Sequence, residues 1–467
     1  MKLTIHGAAK TVTGSMYLLE ACGKRVLFEC GFFQGKRKES LERNKSFPFK
    51  PSEIDFTVLS HAHIDHSGNL PNLVKQGFKG PIFCNHPTRD LAALMLADSA
   101  HIQESDCAYI NQHNQKIGKK NAPIAEPLYT RLDAQQATQQ FMSVAYSRAF
   151  DIADGITVTF TDAGHILGSS EITFDLREGG RHVRLVFSGD LGRGHNDILR
   201  DPTPFEDADI LIMESTYGGR LHEPQETANG RLCDIVKRTL DRRGKLIIPA
   251  FSVGRTQQFV YSLHELTKTR SIPKIPIYVD SPLAINVTEV FRMHPDCFNA
   301  ATNEMLRHNE NPFGLDNLTY IRSSDESKAL NDIKAPCIII SASGMCEGGR
   351  IRHHLRNNIG SAKNTILMAG FCAPNTLGAA LIERRPKVNI FGEEFDVKAS
   401  VEMLDAFSAH ADQNELMGQL SRSTGSMGTI LLTHGQVDQA EALANLIQVK
   451  HPKSRIRIPD LHDSLDL

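Results

Sequence analysis

The 467 residues, 40% apolar and 23% charged, have the balance of a soluble globular protein of two to four domains, which excludes a disordered chain and a membrane protein. The 52 basic residues against 54 acidic ones leave a net charge of −2, so no global field attracts nucleic acid and a polyanion has to be gripped locally. The nine cysteines form no C-x-x-C pair, the opening MKLTIHGAAKTVTGS has no apolar leader segment and no run of about 18 apolar residues occurs, so a disulfide framework, a thiolate zinc knuckle and a membrane span are all unexpected, and the chain reads as cytoplasmic.

Short apolar segments separated by Gly, Asn and Asp fill the first third: KLTIHG, YLLEAC, KRVLFEC, IDFTVLS and PIFCN, then ITVTFTDAG, SEITFDL and VRLVFSGD. They predict strands in sheets packed on one another with helices outside. Between them KRKESLERNK (36–45) mixes both charges and reads as a solvated helix or loop. Residues 88–150 read as helical, TRDLAALMLADSAHIQE and then LDAQQATQQFMSVAY, with the polar KIGKKNAPIAE between.

From residue 209 the pattern changes to strand, short loop, helix, repeated in DILIMESTYGG, GKLIIPAFSVGRTQQFVYSLHEL, IPIYVDSPLAINVTEVF, PCIIISASGMCEGGRIRHHL and TILMAGFCAPNTLGAALIE. This predicts a doubly wound parallel sheet whose ligands bind beyond the carboxyl ends of its strands. After residue 390 short strands return with histidines at their ends, FSAHAD and ILLTHGQ. An α/β domain inserted into a ligand-rich first domain, which resumes at the C-terminus, is the most economical arrangement.

The ligand-rich element is LSHAHIDHSGNL, which carries His61, His63, Asp65 and His66 directly after an apolar strand. Imidazoles with one carboxylate suit Zn²⁺ better than Mg²⁺ or Ca²⁺, which prefer all-oxygen shells. The alternative is a surface loop that happens to be rich in His. Side chains on one tight loop cannot all converge on a single ion without strain, so the four divide more naturally between two metals. Further ligand types follow other strands: His165 in TDAGHILGS, Asp190 in FSGDLGR and His434 in LLTHGQ.

These residues carry a family resemblance. H-A-H-I-D-H (61–66), His165 and S-G-D (188–190) resemble the metallo-β-lactamase fold; E-S-T-Y-G (214–218), F-S-A-H-A-D (407–412) and T-H-G (433–435) resemble its β-CASP ribonuclease branch. The resemblance implies an α/β fold: an αββα metallo-β-lactamase sandwich over 1–208 and 391–467, the latter with an RNA-metabolising motif, and an inserted β-CASP domain, a parallel sheet flanked by helices, over 209–390. It implies two Zn²⁺, one held by His61, His63 and His165, the other by Asp65, His66 and His434, with Asp190 bridging. Glu29, in ECGFFQG, stands where the family has the Asp of a D-C-G segment. That acid orients a ligand histidine, and the extra methylene is expected to loosen the site.

Two zinc ions about 3.5–4 Å apart can hold a hydroxide and accept charge developing on a phosphoryl group, which suits phosphodiester hydrolysis. His410 is the candidate proton donor to the leaving oxygen, with Glu214 holding its tautomer and Asp65 counted among the catalytic groups as well as the ligands. The alternatives are an eighth ligand for His410 and a helix-capping acid for Glu214. Substrate phosphates are assigned to Ser341, Ser343, Gly344 and Gly349 of SASGMCEGGR, to Arg255 of FSVGRTQ and to Ser408. His434, by the resemblance, favours single-stranded RNA over DNA. The expectation is an endonucleolytic zinc ribonuclease, compatible with a homodimer. A small-molecule metallohydrolase, a 5′ exoribonuclease and a metal-free RNA-binding scaffold are the competing readings.

Overall fold

The computed structural model describes residues 1–35, 37–118, 123–370, 372, 375–423 and 425–467. Lys36 of KRKESLERNK, residues 119–122 of KIGKKNAPIAE, and Phe371, Ala373 and Pro374 of TILMAGFCAPNTLGAALIE lie outside the described residues. The chain forms two compact units, residues 1–194, 201–221 and 410–467 in the first and residues 195–200 and 222–409 in the second. Among the described residues no helix is long and apolar enough to cross a membrane.

The first unit stacks two seven-stranded sheets. One runs, in spatial order, Ser464–Asp466, Lys2–Ile5, Tyr17–Ala21, Lys24–Phe28, Phe56–Val58, Ile82–Asn85, Phe141–Val144. The other runs Arg455–Arg457, Met427–Thr433, Ala208–Glu214, Arg181–Phe187, Ser170–Glu178, Ile156–Asp162, Phe150–Ala153. Alternation along the strands sends Leu3, Ile5, Val26 and Phe28 of the first sheet and Phe160, Phe174 and Leu185 of the second into one buried core. Tyr17 stacks on Phe28 at 5.0 Å between ring centroids and Phe28 meets Phe174 across the layers at 5.3 Å. Such ring pairs add about 0.5–1.5 kcal/mol beyond their area burial.

Helices cover both outer faces. Leu416 and Leu420 of Gln413–Ser421, with Leu443 and Ile447 of Val437–Lys450, pack on Leu211, Ile430 and Leu432 of the second sheet. His86–Lys116, started by Asn85, whose side chain accepts from Thr88 N, packs on the first sheet and buries Leu96 and Ala100 with Tyr129 and Ala134. The result is the expected helix–sheet–sheet–helix sandwich.

Two element readings are corrected. LDAQQATQQFMSVAY is not helical throughout: the helix stops at Thr138, and Phe141–Val144 pairs parallel to Ile82–Asn85 as an edge strand. Its mixed polar and apolar pattern reflects an edge position, where partial exposure removes a clean period. The other correction is DILIMESTYGG, expected to open the inserted sheet. Its strand Ala208–Glu214 instead sits between Arg181–Phe187 and Met427–Thr433 in the second sheet of the sandwich, parallel to both. A strand buried on both faces reads as the same apolar run in either sheet.

The second unit contains a six-stranded, all-parallel sheet in the order Leu318–Tyr320, Ile277–Asp280, Ile338–Ser341, Leu246–Pro249, Thr365–Met368, Ser400–Met403. Apolar clusters on both faces bury it between helices, the doubly wound arrangement expected.

Candidate metal centre

In the second sheet, Ile156–Asp162, Arg181–Phe187, Ala208–Glu214 and Met427–Thr433 all run in one direction, since Ser170–Glu178 is antiparallel to the first two and the last three are mutually parallel. Their carboxyl ends therefore deliver His165, Asp190, Glu214 and His434 to one edge. The Phe56–Val58 strand of the facing sheet brings His61 to His66 through a tight turn, with Ile64–Ser67 forming one helical turn. Gly31 makes room for it: a β-carbon there would lie 1.6 Å from Asp65 O, so only glycine fits. His410 arrives by a bridge between its own main chain and Gly192.

Four donor atoms gather on one side of Asp190. His63 Nδ1 lies 3.2 Å from both His61 Nε2 and His165 Nε2, and Asp190 Oδ2 lies 3.4 Å from His61 Nε2 and 3.6 Å from His165 Nε2. On the other side His66 Nε2 is 3.1 Å from His434 Nε2, Asp65 Oδ2 is 3.4 Å from the same nitrogen, and Asp190 Oδ1 is 3.3 Å from His66 Nε2. A tetrahedral ion with ligand distances of about 2.0–2.1 Å requires donor–donor edges of about 3.3–3.4 Å. The separations in the two groups, 3.1 to 3.6 Å, bracket that length.

For His61, His63 and His165 the electrostatics point the same way. Burial pushes His61 down to about 3 and His63 to about 4, so both are neutral and present lone pairs. Burial also lowers His165 well below the usual imidazole range. His66 is held well above it: burial opposes, but the Asp190 and Glu29 carboxylates outweigh burial. Asp190 is 1% exposed, and its Oδ1 has no hydrogen-bond partner although polar atoms surround it. His66 Nε2 and His434 Nδ1 face this oxygen at 3.3 and 3.5 Å without a hydrogen bond of good geometry, and a cation held beside it would remove the cost of that burial. The residues fit a metal with nitrogen and oxygen ligands, and among the described residues the groups that could hold one are His61, His63, His165 and Asp190; Asp65, His66 and His434; Glu29, His61 and His66; and Asp190, Glu214 and His410.

The supporting shell explains the tautomers. Glu29 is fully buried and hydrogen-bonds His66 Nδ1, while its Oε1 accepts Ser60 N at 2.6 Å and its Oε2 accepts Ser60 Oγ at 2.8 Å. Ser60 Oγ in turn lies 3.0 Å from His61 Nδ1, so one carboxylate orients a histidine in each group. Thr216 Oγ1 donates to His434 O at 3.0 Å and lies 3.1 Å from His434 Nδ1. Ser60 and Thr216 were not singled out in the sequence. Their signal was position alone, a hydroxyl next to His61 and a hydroxyl two residues after Glu214. Glu29 and His434 both hold left-handed backbone, φ 61° and 48°, which non-glycine residues adopt when surrounding structure compels it.

Glu214, 1% exposed, places Oε1 3.3 Å from His410 Nδ1. Burial lowers the His410 pKa, but the Glu214 and Asp190 carboxylates outweigh it and raise it to about 9. The His410 ring lies 4.4 Å from that of His165.

All of these residues belong to the first unit, whereas the residues assigned to phosphate belong to the second. Ser341 Oγ donates to Asp280 O at 2.8 Å, and Ser343 Oγ lies 3.3 Å from Gly348 N. Gly349 has φ 73°, and a β-carbon there would meet Ala342 O at 2.4 Å. Gly344 lies in the same turn. Arg255 is the first residue of the helix Arg255–Lys268, is 9% exposed and has Nη1 3.4 Å from Gln258 Oε1. Ser408 is buried, and its N–H donates to Asp405 O.

A helix–sheet–sheet–helix sandwich with two imidazole–carboxylate groups at one sheet edge defines a metal-dependent hydrolase. Residues 9–220 match the metallo-beta-lactamase superfamily, 256–381 the Beta-Casp domain and 394–459 the Zn-dependent metallo-hydrolase RNA specificity domain. The chain is 34% identical over 96% of its length, and 96% of the relative's, to Ribonuclease TTHA0252 of Thermus thermophilus. It is 29% identical to Transcription termination factor FttA of Methanosarcina mazei, over 96% of this chain and 69% of that one. A crystal structure of a protein of unknown function from Enterococcus faecalis superposes with a TM-score of 0.54 at 12% identity, covering 100% of this chain and 99% of that one, a likeness of fold. The chain belongs to the metallo-β-lactamase superfamily, in the branch that carries a Beta-Casp domain.

Proposed function

We propose that the protein is a zinc-dependent ribonuclease of the cytoplasm that hydrolyses phosphodiester bonds within single-stranded RNA. The observation that carries this is Asp190, whose two carboxylate oxygens each face a separate group of imidazoles at 3.3 to 3.6 Å. His61, His63 and His165 would hold one Zn²⁺ and Asp65, His66 and His434 a second, with Asp190 shared. When bound, the two ions supply Lewis-acid charge and the nucleophile for attack at phosphorus. Glu29, through Ser60 and directly, fixes the orientation of His61 and His66. Thr216 does the same for His434.

His410 delivers a proton to the departing ribose oxygen, and Glu214 keeps that proton on the imidazole by facing Nδ1. Ser341, Ser343, Gly344, Gly349, Arg255 and Ser408 are assigned to the substrate backbone, where glycine turns ahead of helices offer main-chain N–H groups to phosphate. The likeness to Ribonuclease TTHA0252 supports RNA as the substrate. The likeness to archaeal termination factors supports transcripts as its source.

Digestion of RNA blocked at the 5′ end, at the 3′ end or at both, with zinc and with a chelator, tests the proposal when product ends are mapped. Internal cuts in the doubly blocked RNA, lost with the chelator, are expected. Products only from RNA with a free 5′ end would replace the endonuclease with a 5′ exoribonuclease, and turnover of generic esters without RNA cleavage would overturn the nuclease.

A further inference from the structure

The six-stranded sheet has a point at which its winding reverses. Leu246–Pro249 and Ile338–Ser341 are adjacent and parallel, with Pro249 opposite Ser341. The helix that follows the first, Arg255–Lys268, packs through Phe259 and Leu263 on the face showing Leu246, Ile248, Ile338 and Ile340. The helix that follows the second, Ile351–Asn358, packs through Ile351 and Leu355 on the face showing Ile247 and Ile339. The two turns therefore leave the sheet in opposite directions, and in doubly wound sheets ligands bind beyond the strand ends at such a reversal.

Phe251 stands at that reversal, in the turn after Leu246–Pro249. It is 40% exposed, and it lies against Gly344 so closely that a β-carbon on that glycine would come within 2.8 Å of the ring atoms Cδ2 and Cε2. The ring thus rests on bare backbone of the opposite turn. Its main chain is held in place, since Phe251 O accepts Thr256 N at 3.2 Å and Thr256 Oγ1 at 2.8 Å. Hydroxyls rim the site: Ser252 Oγ lies 3.2 Å from Ser281 Oγ, at the end of the next strand but one, and Ser343 precedes Gly344. A single exposed phenylalanine is ordinary on a protein surface. One supported by a glycine at the switch point, among hydroxyls and helix starts, has the parts of a single-strand nucleic-acid subsite: an aromatic face for a base, and polar groups for the backbone.

We propose that Phe251 is a stacking platform for a nucleobase of single-stranded RNA, seated between the turns after Leu246–Pro249 and Ile338–Ser341. This rests on the ribonuclease reading and assigns a base contact beside the phosphate contacts proposed for the same turns. Every base has a π-face, so the subsite is tolerant of sequence and adds affinity rather than base identity.

Phe251→Ala is expected to raise KM for oligoadenylate about 5- to 150-fold, the usual worth of one stacked base, with kcat little changed, while Phe251→Tyr restores KM. The chain contains no tryptophan, so Phe251→Trp introduces a single indole reporter. Its fluorescence should be quenched by oligoadenylate and not by an abasic ribose-phosphate oligomer of equal length, both held at saturating concentration. An unchanged KM in folded Phe251→Ala, or the same fluorescence response to both oligomers, overturns the proposal. Should the wild-type chain fail to hydrolyse RNA, the ribonuclease reading falls. The base-dependent quenching then still decides, by itself, whether the ring stacks.

Discussion

Glu214 places Oε1 3.3 Å from Nδ1 of His410, and the same oxygen accepts the main-chain N–H of Leu191 at 2.6 Å. The carboxylate is therefore aimed by the backbone that carries Asp190, and the imidazole follows it. If His410 is the acid, His410→Ala slows RNA cleavage by about 10²- to 10⁴-fold and leaves zinc content intact. Glu214→Gln keeps a carbonyl facing Nδ1 but removes the charge, so its loss should be smaller. Elemental analysis beside single-turnover rates checks this. Zinc lost from His410→Ala would make His410 a ligand, the role open to it with Asp190 and Glu214.

Asp190 is the shared residue of two groups, and its Oδ1 lacks a hydrogen-bond partner. Asp190→Ala should abolish activity and markedly lower bound zinc, since one substitution removes an oxygen from each group. Full RNase activity with zinc retained would end the two-ion proposal.

The chain has Glu29 at a position where an aspartate was expected, and the longer side chain reaches both Ser60 and His66. Glu29→Gln should weaken zinc binding by about 10- to 100-fold, the usual effect of losing an orienting partner. Against the expectation that the extra methylene loosens the site, Glu29→Asp should also weaken binding and fall between, because the shorter side chain on the same backbone gives up part of the contact to Ser60 and His66. Zinc competition with a chromophoric chelator gives the affinities. Equal affinity in Glu29→Gln and wild type would show that the contact does not tune the metal.

In the second unit Asp280 is fully buried, with Arg350 Nη1 at 2.7 Å, Ser327 Oγ at 2.5 Å and His354 Nε2 at 2.6 Å. Burial raises its pKa, but the hydrogen bonds from His354, Ser327 and Arg350 outweigh burial and hold it below the usual carboxylate range. A depressed carboxylate contributes stability above its unfolded pKa of about 3.9 and loses that contribution as pH falls through the folded value. Asp280→Asn should therefore cost about 1.5–3 kcal/mol at neutral pH, with the difference from wild type shrinking below about pH 4. Urea unfolding across that range checks both parts. A difference constant with pH would assign the loss to packing instead of charge.

Most of the candidate metal centre was legible because its residues follow apolar strands directly. A strand ends where polar ligand types begin, a local pattern, and four strands running one way bring those ends to one edge. The chemistry of each side chain, imidazole or carboxylate, is likewise a property of the residue. HAHIDH carries metal-ligand chemistry by itself, and together with ESTYG and THG it carries the resemblance that implies the fold and the family.

What only the tertiary structure decided was partnership. Ala208–Glu214 is an apolar run that would serve either parallel sheet, and hydrogen bonds to Arg181–Phe187 and Met427–Thr433 chose the sandwich. Phe141–Val144 became a strand because Ile82–Asn85 offered it an edge, outweighing a local pattern that read as helix. Ser60 and Thr216 gained their roles from the direction their hydroxyls take towards His61 and His434. Phe251 became a candidate platform only because winding in opposite directions set a glycine 93 positions later in the chain beneath its ring. Ligand type and strand end are written in local sequence; which groups face one another depends on contacts between segments far apart in the chain, and these form only when the sheets pack.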